Sequence, residues 1–456
     1  MDAEQAFKAI CDRIPDAMTK YGVPGVAIGI VADDREFTAG FGVTNVEHPL
    51  TVDEDTFFQI GSTTKTLTAT AVMRLVEEKK LALDDPITKY LPNFRMRDPE
   101  VAERVTMRHL LTHVAGWQGD FFEDTGDGDD ALAKYVAAMA ELPQITPLGA
   151  VWSYNNAAFS LAGRVIEVVT GKTYEQAMLE LVLKPLDLRR SYFFPTYVMT
   201  HRFVSGHASV GGNAFVLRPW QLPRSAYPAG GIVATIKDQL RYARFHLGDG
   251  TVDDGERVLS RESIAMMQTP QRQAMLDNKI GLAWWIRENP GLPQVQHGGA
   301  TLGQISSFVM FPSRKFAIAM ATNASSGGLV FQDASREPLE EFLAFRWPRP
   351  EPIAMTPEQL SEYVGRYTAA MSDVELELAD GGLVLHSFPK GGFPTRNIPA
   401  PPPPPPVRLA FVATDRVALE PRIADGAIAE FLRDGGRKIE WLRIGGRIAK
   451  RVTPVD

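Results

Sequence analysis

The sequence predicts an α/β fold in which an antiparallel sheet is flanked by helices and joined to a helical subdomain, followed by a small antiparallel β-barrel. Three observations predict it. Hairpin signals occur near residues 25–43 and again near 304–322, with helical patterns between them, so the helical middle reads as an insertion between strands of one sheet. A proline-rich stretch then marks a linker, and the remaining hundred or so residues carry short alternating runs at the spacing of barrel strands. The expected organisation is a domain over 1–345, a linker over 346–357 and a β-barrel domain over 358–456.

The elements follow in chain order. Residues 5–20 form an amphipathic helical pattern that stops at Tyr21-Gly22. Val23 to Val31 and Phe37 to Val43 flank the turn Asp33-Asp34-Arg35. A long helical pattern runs from Ser62 to about Lys80. Late in this part, Gln304 to Phe311 and Phe316 to Thr322 flank Pro312-Ser313-Arg314. Past Phe345, Arg346-Trp347-Pro348-Arg349-Pro350-Glu351-Pro352 reads as stiff and extended. Strands are expected at Val374 to Leu378, Gly382 to His386, Arg416 to Leu419 and Ile439 to Ile444. Pro401 to Pro406, six prolines in a row, forces a polyproline II loop, either simply exposed or a docking site for a proline-reading partner.

Composition narrows the function. The chain has 456 residues and a net charge of -7, without a Lys/Arg stripe, so it lacks the footprint expected of a nucleic-acid binder or a ligand of anionic membranes. Its single cysteine, Cys11, excludes an intramolecular disulfide and any cysteine-rich metal site. No apolar stretch approaches the ~20 residues that span a bilayer. The N-terminal residues lack a basic region followed by an apolar run, and the expected location is therefore the cytoplasm.

Several motifs fail on inspection. Gly171-Lys172-Thr173 has Ile166 where a phosphate loop requires glycine. His109 and His113 are spaced i,i+4 but bracket the apolar Leu110-Leu111 step, which favours capping and packing over metal binding. A Ser-x-x-Lys pair is weak alone, since 18 serines and 15 lysines predict roughly 0.6 matches by chance. One match, Ser387-Phe388-Pro389-Lys390, carries a proline that forbids a helix interior. The other, Ser62-Thr63-Thr64-Lys65, opens the long helix with both residues one turn apart on one face.

That placement has chemical consequences. A serine hydroxyl needs a nearby base, and a lysine crowded by apolar groups loses its proton more easily. Free N–H groups at the start of the helix point where a tetrahedral intermediate would place its oxyanion. The chain's single Tyr-x-Asn, Tyr154-Asn155-Asn156, precedes another apolar helix and adds a phenol and an amide. A third segment, His297-Gly298-Gly299-Ala300, lies beside the late hairpin, where two glycines would let a substrate backbone lie against the strand.

In that order these three segments resemble the serine β-lactamase and penicillin-binding-protein superfamily, in particular its class C-like branch. Leu110-Leu111-Thr112-His113-Val114-Ala115-Gly116, Leu81 to Ile87, Pro228 to Ile232 and Asn323 are similar to further segments of that branch, so the resemblance covers about residues 10–345. It implies a β-lactamase/transpeptidase-like fold. It also implies Ser62 as the acylated nucleophile, Lys65 and Tyr154 as the proton-transfer pair, and Asn156 as a substrate ligand. His297 would replace the lysine of the usual Lys-Thr-Gly, and the N–H groups of Ser62 and Ala300 would form the oxyanion hole, with Gly298 and Gly299 beside the substrate. No metal or organic cofactor is implied.

A histidine at 297, neutral or charged near pH 7, turns the expectation away from lactam and muropeptide substrates. His297-Gly298-Gly299 is similar to the motif of superfamily members acting as carboxylesterases, D-amino-acid peptidases and amidases, a resemblance that implies esters, amides or small D-amino-acid peptides as substrates. The segment from Leu360 to Tyr367 resembles the start of the lipocalin-like barrel attached to some such peptidases and to penicillin-binding-protein-type thioesterases that release and cyclise peptides. Three readings therefore stand: a hydrolase working through acyl-Ser62, an acyl transferase or cyclase at the same site, and a silent binding protein, disfavoured by the intact Ser62, Lys65 and Tyr154. Gly116 to Asp130 holds Trp117, two phenylalanines and six acids. It reads either as a solvated acidic loop capping the helix near Ala131 or as aromatics, Trp117 among them, and carboxylates set over the cleft.

Overall fold

The computed structural model describes all residues except 211–212, 253–254, 421, 423–424, 427, 436 and 453–456. The first helix, Ala3–Tyr21, starts at an Asp2 capping box and stops at Gly22 in the left-handed conformation, as the apolar periodicity and the Tyr21-Gly22 stop signal predict. Eight strands form one sheet in the order Arg35–Gly42, Gly25–Ala32, Phe316–Thr322, Gln304–Phe311, Gln294–Thr301, Trp285–Arg287, Asn278–Ile280 and Arg272–Gln273. Every pairing is antiparallel. The N-terminal hairpin thus lies directly against the late one, Val26 opposite Thr322 and Ala32 opposite Phe316, and the helical middle is an insertion between them.

Both faces of this sheet are covered, which is why Gly25–Ala32 and Phe316–Thr322 are buried at every position. One face, carrying Ile28, Ile30, Ile318 and Met320, packs on the first helix through Ile10 and Ile14 and on the helix Gly327–Phe342 through Val330 and Leu339. The other carries small residues, Ala27, Ala317, Ala319 and Ala321, and joins the large core that includes the helical middle. Gly29 lies on this face; a Cβ there would sit 2.7 Å from Leu240 Cδ1, so the helix Ile236–Leu247 packs directly over it.

The Ser62 helix, Thr64–Glu77, runs through the centre of that core and is buried on nearly all sides. Its buried threonines are satisfied locally: Thr66, Thr68 and Thr70 donate to the carbonyls of Thr63, Thr64 and Thr66, and Thr64 Oγ1 accepts from the Ile232 N–H. This lets polar side chains enter a core without orphaned groups.

The C-terminal part is a closed barrel of eight antiparallel strands from Gly365–Thr368 to Arg447–Val452; each strand pairs with the next and the first with the last. Its interior is filled by side chains: Tyr363 lies 4.6 Å from Phe411 and 4.7 Å from Phe431, ring centre to ring centre. The polyproline run 401–406 is exposed and outside any helix or strand, between Gly382–Pro389 and Val407–Ala413. Ser387 falls in the first of these strands, so its spacing to Lys390 carries no helical meaning. The connecting segment is extended but anchored at its start, where buried Glu340 receives Arg346, Arg349 and the Trp347 N–H.

Candidate active site

Ser62 does not open an α-helix directly. It occupies a 3₁₀ turn, Gly61–Thr63, that leads into Thr64–Glu77. Gly61 makes the turn possible: its φ is +52°, and a Cβ would lie 2.7 Å from the Ala300 nitrogen. Side chains three apart nearly eclipse in such a turn. Lys65 Nζ accordingly lies 3.1 Å from Ser62 Oγ.

Lys65 is fully buried. Its other partners are Asn156 Oδ1 at 2.8 Å and the Ala229 carbonyl at 2.6 Å, and none of the three is a carboxylate. Burial, reinforced by the Arg447 charge and opposed by Asp120, holds the lysine well below its usual pKa. A neutral amine suits these partners, giving two N–H bonds to Asn156 and Ala229 and leaving its lone pair for the Ser62 hydroxyl.

Asn156 is the first residue of the helix Asn156–Thr170, capped by Asn155, whose Oδ1 accepts from Ala158 N–H. Its Nδ2 donates to Asp120 Oδ1 at 2.7 Å, which orients its oxygen toward Lys65. Tyr154 is buried under Arg447, whose guanidinium lies 4.7 Å from the ring centre. On another side His113 stacks on it at 4.4 Å and 26°. Desolvation pushes the phenol's pKa upward despite the opposing influence of Ser62 and Arg447, so the resting phenol keeps its proton. Cations are near it, then, but they do not ionise it.

His297 sits in Gln294–Thr301, with its Nδ1 2.6 Å from the Gly298 carbonyl. Burial and the nearby Lys65 push its pKa down to about 3, which makes it neutral at physiological pH. His297 Nε2 is buried without a partner among the described residues, as befits a group that faces a ligand, and the Tyr154 hydroxyl lies toward Ser62.

Gly299 has a structural reason of its own. A Cβ at Gly299 would lie 1.8 Å from the Ile60 carbonyl, so this glycine lets the strand cross the Ser62 turn. Gly298 stands opposite Ser307 of the neighbouring strand, is exposed and lines the cleft. The crossing brings Ala300 beside Gly61-Ser62. Trp117 is only 3% exposed and forms the wall of the cleft, and its carbonyl accepts from Asn155 Nδ2. His109 caps its own helix through Thr106, and His113 packs against Tyr154.

Two residues of the site were not anticipated individually. Asp120, one of the six acids after Trp117, turns inward, whereas Asp129 pairs with Arg224 and Asp130 with Lys134 on the outside. Arg447, from the last barrel strand, binds both oxygens of Asp120 through Nε at 3.0 Å and Nη2 at 3.2 Å. The Tyr154 N–H also donates to the Gly446 carbonyl. The cleft above Ser62, about 1360 Å³, is therefore walled on one side by the barrel, and Phe122, Phe393 and Trp441 line its outer part.

The family profile "Beta-lactamase" matches residues 10–339. The chain belongs to the beta-lactamase family. Penicillin-binding protein 4 of Amycolatopsis lactamdurans is 36% identical over 361 residues, 76% of this chain and 94% of that protein. Among solved structures, SurE is similar with a TM-score of 0.77 at 24% identity, over 98% of this chain and 99% of its own. SurE with D-Leu gives 0.74. The D-alanine carboxypeptidase AmpC of Burkholderia cenocepacia gives 0.62 at 23% identity, covering 75% of this chain and 100% of that one. This beta-lactamase-family protein is thus a serine hydrolase with a closed eight-stranded barrel at its C-terminal end. Among the described residues no helix is long and apolar enough to cross a membrane.

Proposed function

We propose that the protein hydrolyses esters or amides of small acyl or D-amino-acid peptide substrates through an acyl-Ser62 intermediate. The observation that carries this reading is the buried Lys65, hydrogen-bonded to Ser62 with no carboxylate in contact. In the proposed sequence Lys65 takes the Ser62 proton as Oγ attacks the carbonyl. The N–H groups of Ser62 and Ala300 receive the oxyanion. Protonated Tyr154 then delivers a proton to the leaving group and is reprotonated through Lys65. Water repeats the sequence on the acyl-enzyme.

Neutral His297 offers a hydrogen bond to the substrate but no charge for a carboxylate, which weighs against substrates that need a cation at this position. Support for D-configured residues comes from the neighbours: one was solved with D-Leu and another is described as a D-alanine carboxypeptidase.

A second reading, transfer of the acyl group to an amine in place of water, as in a peptide cyclase, is favoured by the cleft. Its barrel wall and aromatic outer part leave space for a chain longer than one residue and shield the acyl-enzyme on one side. The test is a fluorophosphonate probe together with aryl esters, D- and L-amino-acid amides, nitrocefin and peptidyl thioesters. Labelling at Ser62, lost in Ser62→Ala, is expected. Activity that survives Ser62→Ala would overturn the mechanism, and cyclic product from a peptidyl thioester would select the second reading.

A further inference from the structure

We propose that the barrel contributes a positioning residue to the reaction centre: Arg447 holds Asp120, Asp120 holds the Asn156 amide, and Asn156 in turn orients Lys65 toward Ser62. The inference rests on the acyl-Ser62 reading and deepens it, because it makes the competence of that site depend on a docked barrel.

The chain of contacts is continuous. Arg447 engages both Asp120 oxygens in a bidentate fork, its Nη1 donates to the Gly445 carbonyl, and its plane lies over the Tyr154 ring. Asp120 Oδ1 accepts from Asn156 Nδ2, and Asn156 Oδ1 accepts from Lys65 Nζ. An amide can serve both neighbours only with its nitrogen toward the carboxylate and its oxygen toward the amine, so Asp120 fixes the flip of Asn156. The segment carrying Asp120 is itself held tightly, since the Gly119 carbonyl accepts from the N–H groups of Asn156 and Ala157 and a Cβ at Gly119 would lie 2.6 Å from the Tyr154 carbonyl.

Charge balance gives Arg447 a second effect. Asp120 alone would be a buried anion one amide away from Lys65 and would favour the protonated amine. Arg447 cancels it. The groups facing Lys65 are Asp120 from the loop, Arg447 from the barrel, Tyr154, His113 and His297. Both histidines are held neutral by burial and Tyr154 keeps its proton, which leaves Asp120 and Arg447 as the charged pair that tunes a lysine whose pKa burial has already lowered. A barrel that lifted away would therefore leave Ser62 in place but with its base drawn toward the protonated form and its amide free to flip.

The experiment is the pH profile of fluorophosphonate labelling in the full chain. Arg447→Ala is expected to move the acid limb up by about one pH unit, an approximately tenfold loss on that limb. Asp120→Asn is expected to move it down, and the double variant to return it toward the parent while remaining slower, since the amide is no longer oriented. Arg447→Lys keeps the charge without the fork and is expected to retain the parent profile at a reduced rate. Arg416→Ala, which breaks the exposed barrel contact to Asp277, serves as the control with parent kinetics. Coincident profiles for folded Arg447→Ala, Asp120→Asn and parent would overturn the proposal. Ser62→Ala runs alongside: loss of labelling there with unshifted profiles elsewhere rejects the Arg447 role alone, whereas persistent labelling rejects the acyl-Ser62 reading itself.

Discussion

The barrel meets the catalytic body through arginines in two different settings, and the difference separates contacts that shape chemistry from contacts that merely touch. Near Tyr154 the carboxylate of each pair is buried. Arg447 binds Asp120, and Arg443 binds Glu430 while donating to the Ala274 carbonyl, with its guanidinium 5.7 Å from the Trp152 ring centre. Glu430 also accepts from the Leu276 N–H. Farther out, Arg416 reaches Asp277, whose side chain is 64% exposed. Water reaches both members of the outer pair, so it contributes little, whereas a buried carboxylate that loses its arginine is left as an uncompensated charge.

The largest effect is expected at the centre that the enclosed side supports. Lys65→Met removes the base and its bond to Ser62, and the rate of Ser62 acylation should fall by about 10²–10⁴-fold. Stopped-flow or gel-based labelling against time measures it. A loss of only a few fold would mean that the proton leaves by another route, and the comparison between the two settings would then lose its chemical half.

Second in size is the Arg443–Glu430 pair. Glu430→Ala leaves Arg443 buried without its anion and the Leu276 N–H without its acceptor, and it should destabilise the protein by roughly 3 kcal/mol. Replacing both members by apolar residues of similar volume should recover most of that loss. Urea denaturation of the two single variants and the double variant provides the check, and equal losses in all three would show the pair to be a scaffold rather than a mutually compensating charge pair.

The contrast between the settings also marks what could be read from residues alone. Ser62, Lys65, Tyr154, Asn156 and His297 announce themselves because each sits at a fixed step from a turn or glycine pair that the local backbone requires, and the structure gathers all five around one cleft. The antiparallel order of the sheet was legible for a similar reason, since each hairpin carries its own turn. Asp120 was not separable from its five acidic neighbours. What turns it inward is Arg447, more than three hundred residues away, and nothing in the local pattern encodes that meeting. Gly299 is a similar case: spacing shows that a glycine is wanted, but only the crossing of Ile60 shows what lies against it. The Gly445-Gly446-Arg447 turn was the one available signal, a tight turn presenting a cation at the end of a strand.

Burial of Lys65 gives the third effect. Its folded pKa lies below its unfolded value, so between those two values the unfolded chain binds the extra proton and this residue makes stability rise with pH. Compared with Lys65→Met, the parent should gain about 1.4 kcal/mol per pH unit within that window, which starts at the lowered value and ends near 10.5. Parallel denaturation curves from pH 6 to 9 isolate the difference, because the other titrating groups are common to both proteins. A flat difference would place the folded pKa of Lys65 above that range and overturn its lowering by burial.

The smallest effect belongs to the outer contact. Arg416 is joined to Asp277 and to the Leu276 carbonyl, and both side chains of the ion pair remain open to solvent. Holding two flexible side chains together there costs entropy that nearly cancels the screened attraction. Arg416→Ala should change stability by no more than about 0.5 kcal/mol and leave the acylation rate and its pH profile at parent values. The result matters because Arg416 and Arg447 lie on the same barrel. If losing the outer arginine slowed acylation as much as losing the inner one, barrel docking as a whole would govern the site, and the specific geometry of Arg447 over Asp120 and Tyr154 would cease to be the explanation.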